Sequence, residues 1–229
     1  GDALMKSFVC RAVIGLTFAC GAAQAAGPLY MTDGSPPRPY VWDTSKGPIP
    51  AWTDGGGAFT YGYDGAPFIT IARANEITQF ALGQWSNVGT ATLDLGVKGT
   101  IAGKTGIADV TGANANQFYG VENGYGLWVL YDTDGSILEE YFGVSRYAVL
   151  GIAFPEWTDD AGHITEATAL LNGWYVDASD TEGNFVAGVF THEFGHALNL
   201  SHSQVNGPMV YQSYTFQPYY PGVPGCVAP

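Results

Sequence analysis

Basic residues are scarce in this 229-residue chain: eight Lys and Arg stand against 21 Asp and Glu, a formal net charge of −13. A surface of that sign repels phosphate backbones, so nucleic acid is excluded as an expected partner. Cysteine is almost absent, with three residues, Cys10, Cys20 and Cys226. The chain also lacks a long apolar run, its best stretch being "AVIGLTFACGAA" from Ala12 to Ala23. That is too short for a comfortable membrane span, and no stable membrane insertion is expected. What remains is 46% hydrophobic and 14% aromatic, enough to bury a sizeable core. With Gly 32 and Pro 13, many turns and loops must surround that core.

The short apolar run follows Met5, Lys6 and Arg11 and leads into "AQAA" at Ala23–Ala26. A basic start, a brief apolar stretch and an A-x-A exit mark a secretory signal peptide over 1–26, with 1–4 as a scar ahead of Met5. Secreted, periplasmic or extracellular localisation follows as the expectation. Removing 1–26 leaves Cys226 as the sole thiol, which forbids an internal disulfide. Cys226 is then either an inert tail residue, a thiolate able to reach a metal, or a link between chains. A monomer is expected.

Residues 27–50 are proline-rich and predicted to be extended, with "IPAWT" as a first strand. Ile77, Phe80, Ala81, Trp85 and Val88 recur at helical spacing, which predicts an amphipathic helix over Ala72–Val88. "TATLDLGV" alternates as a strand, and 99–124 reads as a long loop. "YGLWVLYD", "AVLGIAFPEW" and "HITEATALLNG" read as further strands, Pro155 placing the second at a sheet edge. A second helix, capped by Asn184, carries Phe185, Val189, His192 and His196 on one face. Gly188 and Gly195 lower its propensity and suggest close packing or a constrained site. One helix, several strands and another helix give an α+β layout with a twisted mixed sheet. The domain reading places an extended N-terminal segment at 27–50, a catalytic domain at 51–215 and a Pro/aromatic tail at 216–229.

Three of the four histidines fall within "HEFGHALNLSH", residues 192–202. On a helix, His192 and His196 are one turn apart and can grip one cation. Glu193 lies one step round and can face the open side of the metal without ligating it. For His202 to reach the same ion the helix must stop and turn back, and Asn199 tolerates the left-handed backbone this needs. Three neutral imidazoles plus a water make a zinc site with an open position.

That stretch resembles the metzincin signature H-E-x-x-H-x-x-G-x-x-H, with Asn199 in the place of its glycine. Ser203 is what the matrixin branch carries, and "GPMVYQSY" is similar to the Met-turn, with Met209 beneath the metal. "ITQFALGQWSNV" looks like the family's first helix and "AVLGIAFPEW" like its substrate-lining edge strand. The best resemblance is to a secreted bacterial matrixin-like protease. It implies a metzincin-like fold with an active-site helix and a backing helix, Zn2+ on His192, His196 and His202, and Glu193 as general base. The implied substrate is a protein or peptide. "MVY" is more similar to the astacin and serralysin Met-turns, which implies that Tyr211 donates to the oxyanion. Only His163 is left over, too few for the matrixin structural zinc, and no thiol latch precedes the catalytic region.

Two further readings stay open. Asp132, Asp134, Ser136 and Glu139 or Glu140 are spaced either for Ca2+ or for a simple D-G turn. The alternative to an endopeptidase is a non-catalytic zinc-bound surface or adhesion module on the same fold.

Overall fold

The computed structural model describes residues 29, 31, 38–55, 69–175 and 183–200. The segment expected as a leader, the Pro/aromatic tail and residues His202, Ser203, Met209, Tyr211 and Cys226 lie outside the described residues. The sheet is built around β4 (Gly126–Asp132), whose seven residues are all buried. Its apolar run suits a parallel strand covered on both faces. β4 lies between β2 (Ile49–Thr53) and β6 (His163–Asn172), parallel to both. β3 (Leu95–Thr100) pairs parallel with β2, and β1 (Val41–Trp42) pairs parallel with the start of β6. β5 (Gly151–Thr158) runs antiparallel to β6 and has no other strand partner among the described residues. Pro155 sits in this edge strand next to a bulge.

One face of the sheet packs against α1 (Ile71–Ser86) and α4 (Asn184–Ala197). Leu127, Val129, Tyr131, Ala167, Ala169 and Leu171 meet Ile77, Phe190 and Phe194 there. The alternate residues Trp128, Leu130 and Leu170 face the other way, against Ile101, Phe118, Ile137 and Leu138. The Thr70 hydroxyl caps α1 by accepting the Arg73 N–H at 3.2 Å. Mixed sheet, backing helix and histidine helix fit the expected α+β metzincin-like fold.

The boundaries moved where a local cue was too short to read. Leu95, not Thr90, begins β3, and the predicted loop 99–124 holds α2 (Ile101–Thr105) and α3 (Ala115–Phe118). Thr100 caps α2, and Gly106 at φ 81 closes it. β2 begins at Ile49 and so straddles the boundary expected between 50 and 51. Asn184 is the first helical residue of α4 rather than its cap; Gly183 holds that place at φ 75. A Cβ there would come within 2.7 Å of Ile77 Cδ1, so close approach to α1 requires glycine. Gly195 is the same kind of contact. Its Cβ would lie 2.9 Å from Trp85 Cζ2, while the Trp85 indole N–H donates to the Thr191 carbonyl at 2.9 Å. Among the described residues, no helix is long and apolar enough to cross a membrane.

The far face carries buried carboxyls that make stability depend on pH. Glu166 accepts N–H groups from Asn123 at 2.8 Å and Gly124 at 3.0 Å, and the Asn123 side-chain amide at 3.1 Å. Burial still pushes its carboxyl up to about 7, with Glu156 repelling the charge. Burial likewise pushes Asp132 up to about 6. These groups hold protons in the fold that the unfolded chain releases earlier. Their stabilisation is therefore complete below the ordinary carboxyl range and is lost as pH rises through the folded values. Glu166 alone accounts for roughly 3 kcal/mol, or roughly 5–10 °C in Tm for a chain of this size. The Tm of chelator-treated protein is expected to fall from about pH 5 to about pH 8, with Glu166→Gln flattening the slope. A Tm that rose over this interval would contradict the assignment.

Candidate metal centre

α4 presents His192 and His196 one turn apart, their rings nearly perpendicular with centroids 4.6 Å apart. Their Nε2 atoms lie 3.1 Å from each other. Two ligands on a tetrahedral zinc with Zn–N of about 2.0–2.1 Å sit about 3.3 Å apart. The donor pair fits that ion. His196 Nδ1 lies 2.7 Å from the Leu200 carbonyl. An Nδ1–H donating there leaves the acceptor lone pair on Nε2, the atom that faces His192, which is the tautomer a metal needs.

The turn that follows is a complete Schellman end. Leu200 N–H donates to the Gly195 carbonyl at 2.9 Å, and Asn199 N–H to the His196 carbonyl at 2.8 Å. Asn199 takes φ 67, the sole positive φ among the described non-glycine residues. The helix therefore stops and reverses where the sequence predicts, three residues before His202. Asn199 Nδ2 donates to the carbonyls of Leu29 and Tyr40, both at 3.0 Å. That nitrogen is thus engaged inside the protein.

Glu193, one step round from His192, is buried, and burial pushes its carboxyl up to about 8. β5 makes room for it through Gly151. A Cβ on that residue would lie 2.9 Å from both Glu193 Cγ and the Leu170 carbonyl oxygen. Gly151 was not a predicted site residue. The signal that could have found it is a glycine inside a strand pattern, which marks close approach.

Among the described residues, no three His, Cys, Asp or Glu side chains stand together as a metal site. The described part of the centre is thus the imidazole pair of His192 and His196. His163 opens β6 and pairs through Nδ1 with Asp159 Oδ2 at 3.1 Å. At the residues spaced for Ca2+ or for a D-G turn, the described hydrogen bonds are those of a turn. Asp132 accepts N–H groups from Ile137 at 3.1 Å and Leu138 at 3.0 Å, one on each carboxyl oxygen. Asp134 Oδ1 accepts the Ser136 N–H at 2.9 Å, and the Arg146 guanidinium bonds the Asp134 carbonyl. Arg146 also pairs with Glu139 at 2.6 Å. The Arg146 guanidinium thus closes a self-capping turn.

Residues 145–220 match the matrixin family model. The matrixin match takes in β5, β6 and α4 and leaves β1 to β4 outside it. It supports a matrixin-type metalloprotease, a class of metalloendopeptidase that acts on protein substrates. No curated protein and no solved structure matches the chain.

Proposed function

We propose that the chain is a secreted zinc-dependent endopeptidase, exported by the leader at 1–26 and acting on extended peptides. The observation that carries this reading is the pair of Nε2 atoms 3.1 Å apart, with Glu193 one step round and a left-handed turn closing the helix. His192 and His196 would hold the zinc from α4, with His202 as the third ligand. Zinc, when bound, supplies Lewis acidity and a positive field that returns Glu193 to its carboxylate form.

The chain's own residues do the rest. Glu193 takes the proton of the attacking water at a carboxylate oxygen and returns it to the nitrogen of the leaving amine. Its burial keeps competing water away. The Leu200 carbonyl fixes the ring of His196. The outer edge of β5, next to Glu193 at Gly151, offers main-chain groups to an extended peptide. Tyr211 is the proposed phenolic donor to the developing oxyanion.

The reading is tested on protein purified from residue 27 onward. Elemental analysis is expected to give one zinc per chain, and casein cleavage should stop with a chelator and return with zinc. Two zincs, none, or cleavage indifferent to chelation would refute it.

A further inference from the structure

We infer that Asn199 is a positioning residue, one that makes the metal-binding end of α4 depend on the docked N-terminal run of the chain. This rests on the zinc reading for its consequence, though not for its geometry. Where a turn needs only a left-handed backbone, glycine serves without steric cost. Asn199 has a side chain there, and that side chain is 6% exposed and fully engaged. Its Oδ1 accepts the Leu29 N–H at 2.9 Å, and its Nδ2 donates to the carbonyls of Leu29 and Tyr40. One carboxamide thus pairs with both main-chain groups of Leu29, as a neighbouring strand would.

The N-terminal run is itself held as a ladder. Tyr40 N–H donates to the Leu29 carbonyl at 3.0 Å, and Met31 N–H to the Arg38 carbonyl at 2.9 Å. Val41 N–H reaches the Gly162 carbonyl at 3.3 Å, and Met31 packs over Gly162, whose φ is 84. A second tie comes from β1. The Trp42 indole N–H, in buried surroundings, donates to the Ala197 carbonyl at 3.1 Å. The Ala197 carbonyl and the Asn199 carboxamide, at the end of α4, are therefore gripped by residues 155 and 170 positions earlier.

The link to the metal is one residue long. Leu200, next to Asn199, carries the carbonyl that orients His196 through Nδ1. Displacing Asn199 shifts that carbonyl and frees the ring whose Nε2 faces His192. Loss of such an outer hydrogen bond typically weakens metal binding 10–100-fold. Linkage makes the effect mutual, so bound cation must hold the N-terminal ladder more tightly by the same factor.

Asn199→Gly separates the side chain from the turn, because glycine keeps φ 67 and removes three hydrogen bonds. In full-length mature protein, zinc affinity by chelator competition is expected to fall about 10-fold or more in this variant. Amide exchange at Leu29 and Tyr40 should slow on adding zinc to wild type and lose that response in the variant. Trp42→Phe, which removes the donor to Ala197 together with part of a buried ring, should weaken zinc in the same direction. Asn199→Asp should do no better than glycine, since its carboxylate would face two carbonyls. Wild-type zinc affinity and an intact exchange response in Asn199→Gly would overturn the inference. Should wild type bind no zinc, the catalytic reading fails separately. Faster exchange at Leu29 and Tyr40 in metal-free Asn199→Gly would still establish the clamp, and unchanged exchange would overturn it.

Discussion

Glu193→Gln is expected to keep its zinc and lose about 10²–10⁴-fold in kcat, the range a positioned general base contributes. The substitution is nearly isosteric, so the contact with Gly151 and the packing of α4 stay as they are. What it removes is the group able to accept a proton from water. Glu193 is not a ligand in the proposed centre, so elemental analysis should find wild-type metal. KM for a peptide substrate should change little, because substrate binding falls to β5. A variant cleaving at the wild-type rate would end the general-base assignment, whatever its metal content.

Gly151→Ala is the second large effect, and it comes from the opposite wall. The added Cβ would sit 2.9 Å from Glu193 Cγ and 3.1 Å from Glu193 Cδ, with the Leu170 carbonyl oxygen at 2.9 Å behind it. Backbone on one side and the base on the other leave no flexible chain end to yield, so β5 or α4 must move. Overpacking of this kind costs roughly 1–3 kcal/mol in stability. Misplacing a reacting group by about 1 Å can cost on the order of 10² in rate, and kcat is expected to fall by about that factor. Gly99→Ala is the control. Its Cβ would press on the Trp52 ring at 3.1 Å, on β2 and β3, where no proposed site residue lies. It should lower Tm and spare kcat. Equal loss of kcat in both variants would show that general destabilisation, not placement of Glu193, is being measured.

The parts legible in the sequence are those whose cause is local. β4 could be read because its apolar run records burial directly, and β6 because the turn "DDAG" marks where a strand starts. The histidine spacing and the left-handed need at Asn199 are also local, and both positions appear as expected. Gly183 and Gly151 were missed because their necessity lies in Ile77 and Glu193, distant in sequence. The Asn199 carboxamide was read only for its backbone tolerance, since nothing near it announces a partner 170 positions away. Short helices such as α2 are capped correctly but span too few residues for a periodic signal.

The pairing of β2 with β4 and of β1 with β6 has a consequence for the order of assembly. On a ribosome, Ala51 is made long before its partner Leu127, and Val41 longer still before His163. Neither early strand has a local hairpin partner to shelter it. Such sequence-distant parallel pairings fold slowly, because loop closure is costly before any contact rewards it. The first half of this chain therefore leaves the ribosome with β1 unpaired and β2 able to pair only with β3, and the turn after α4, tied to Leu29 and Trp42, is completed only when the whole sheet has closed. Completion of the proposed metal site becomes a late event of folding: fragments that lack the early strands keep the histidines of α4 without the contacts from Leu29 and Trp42.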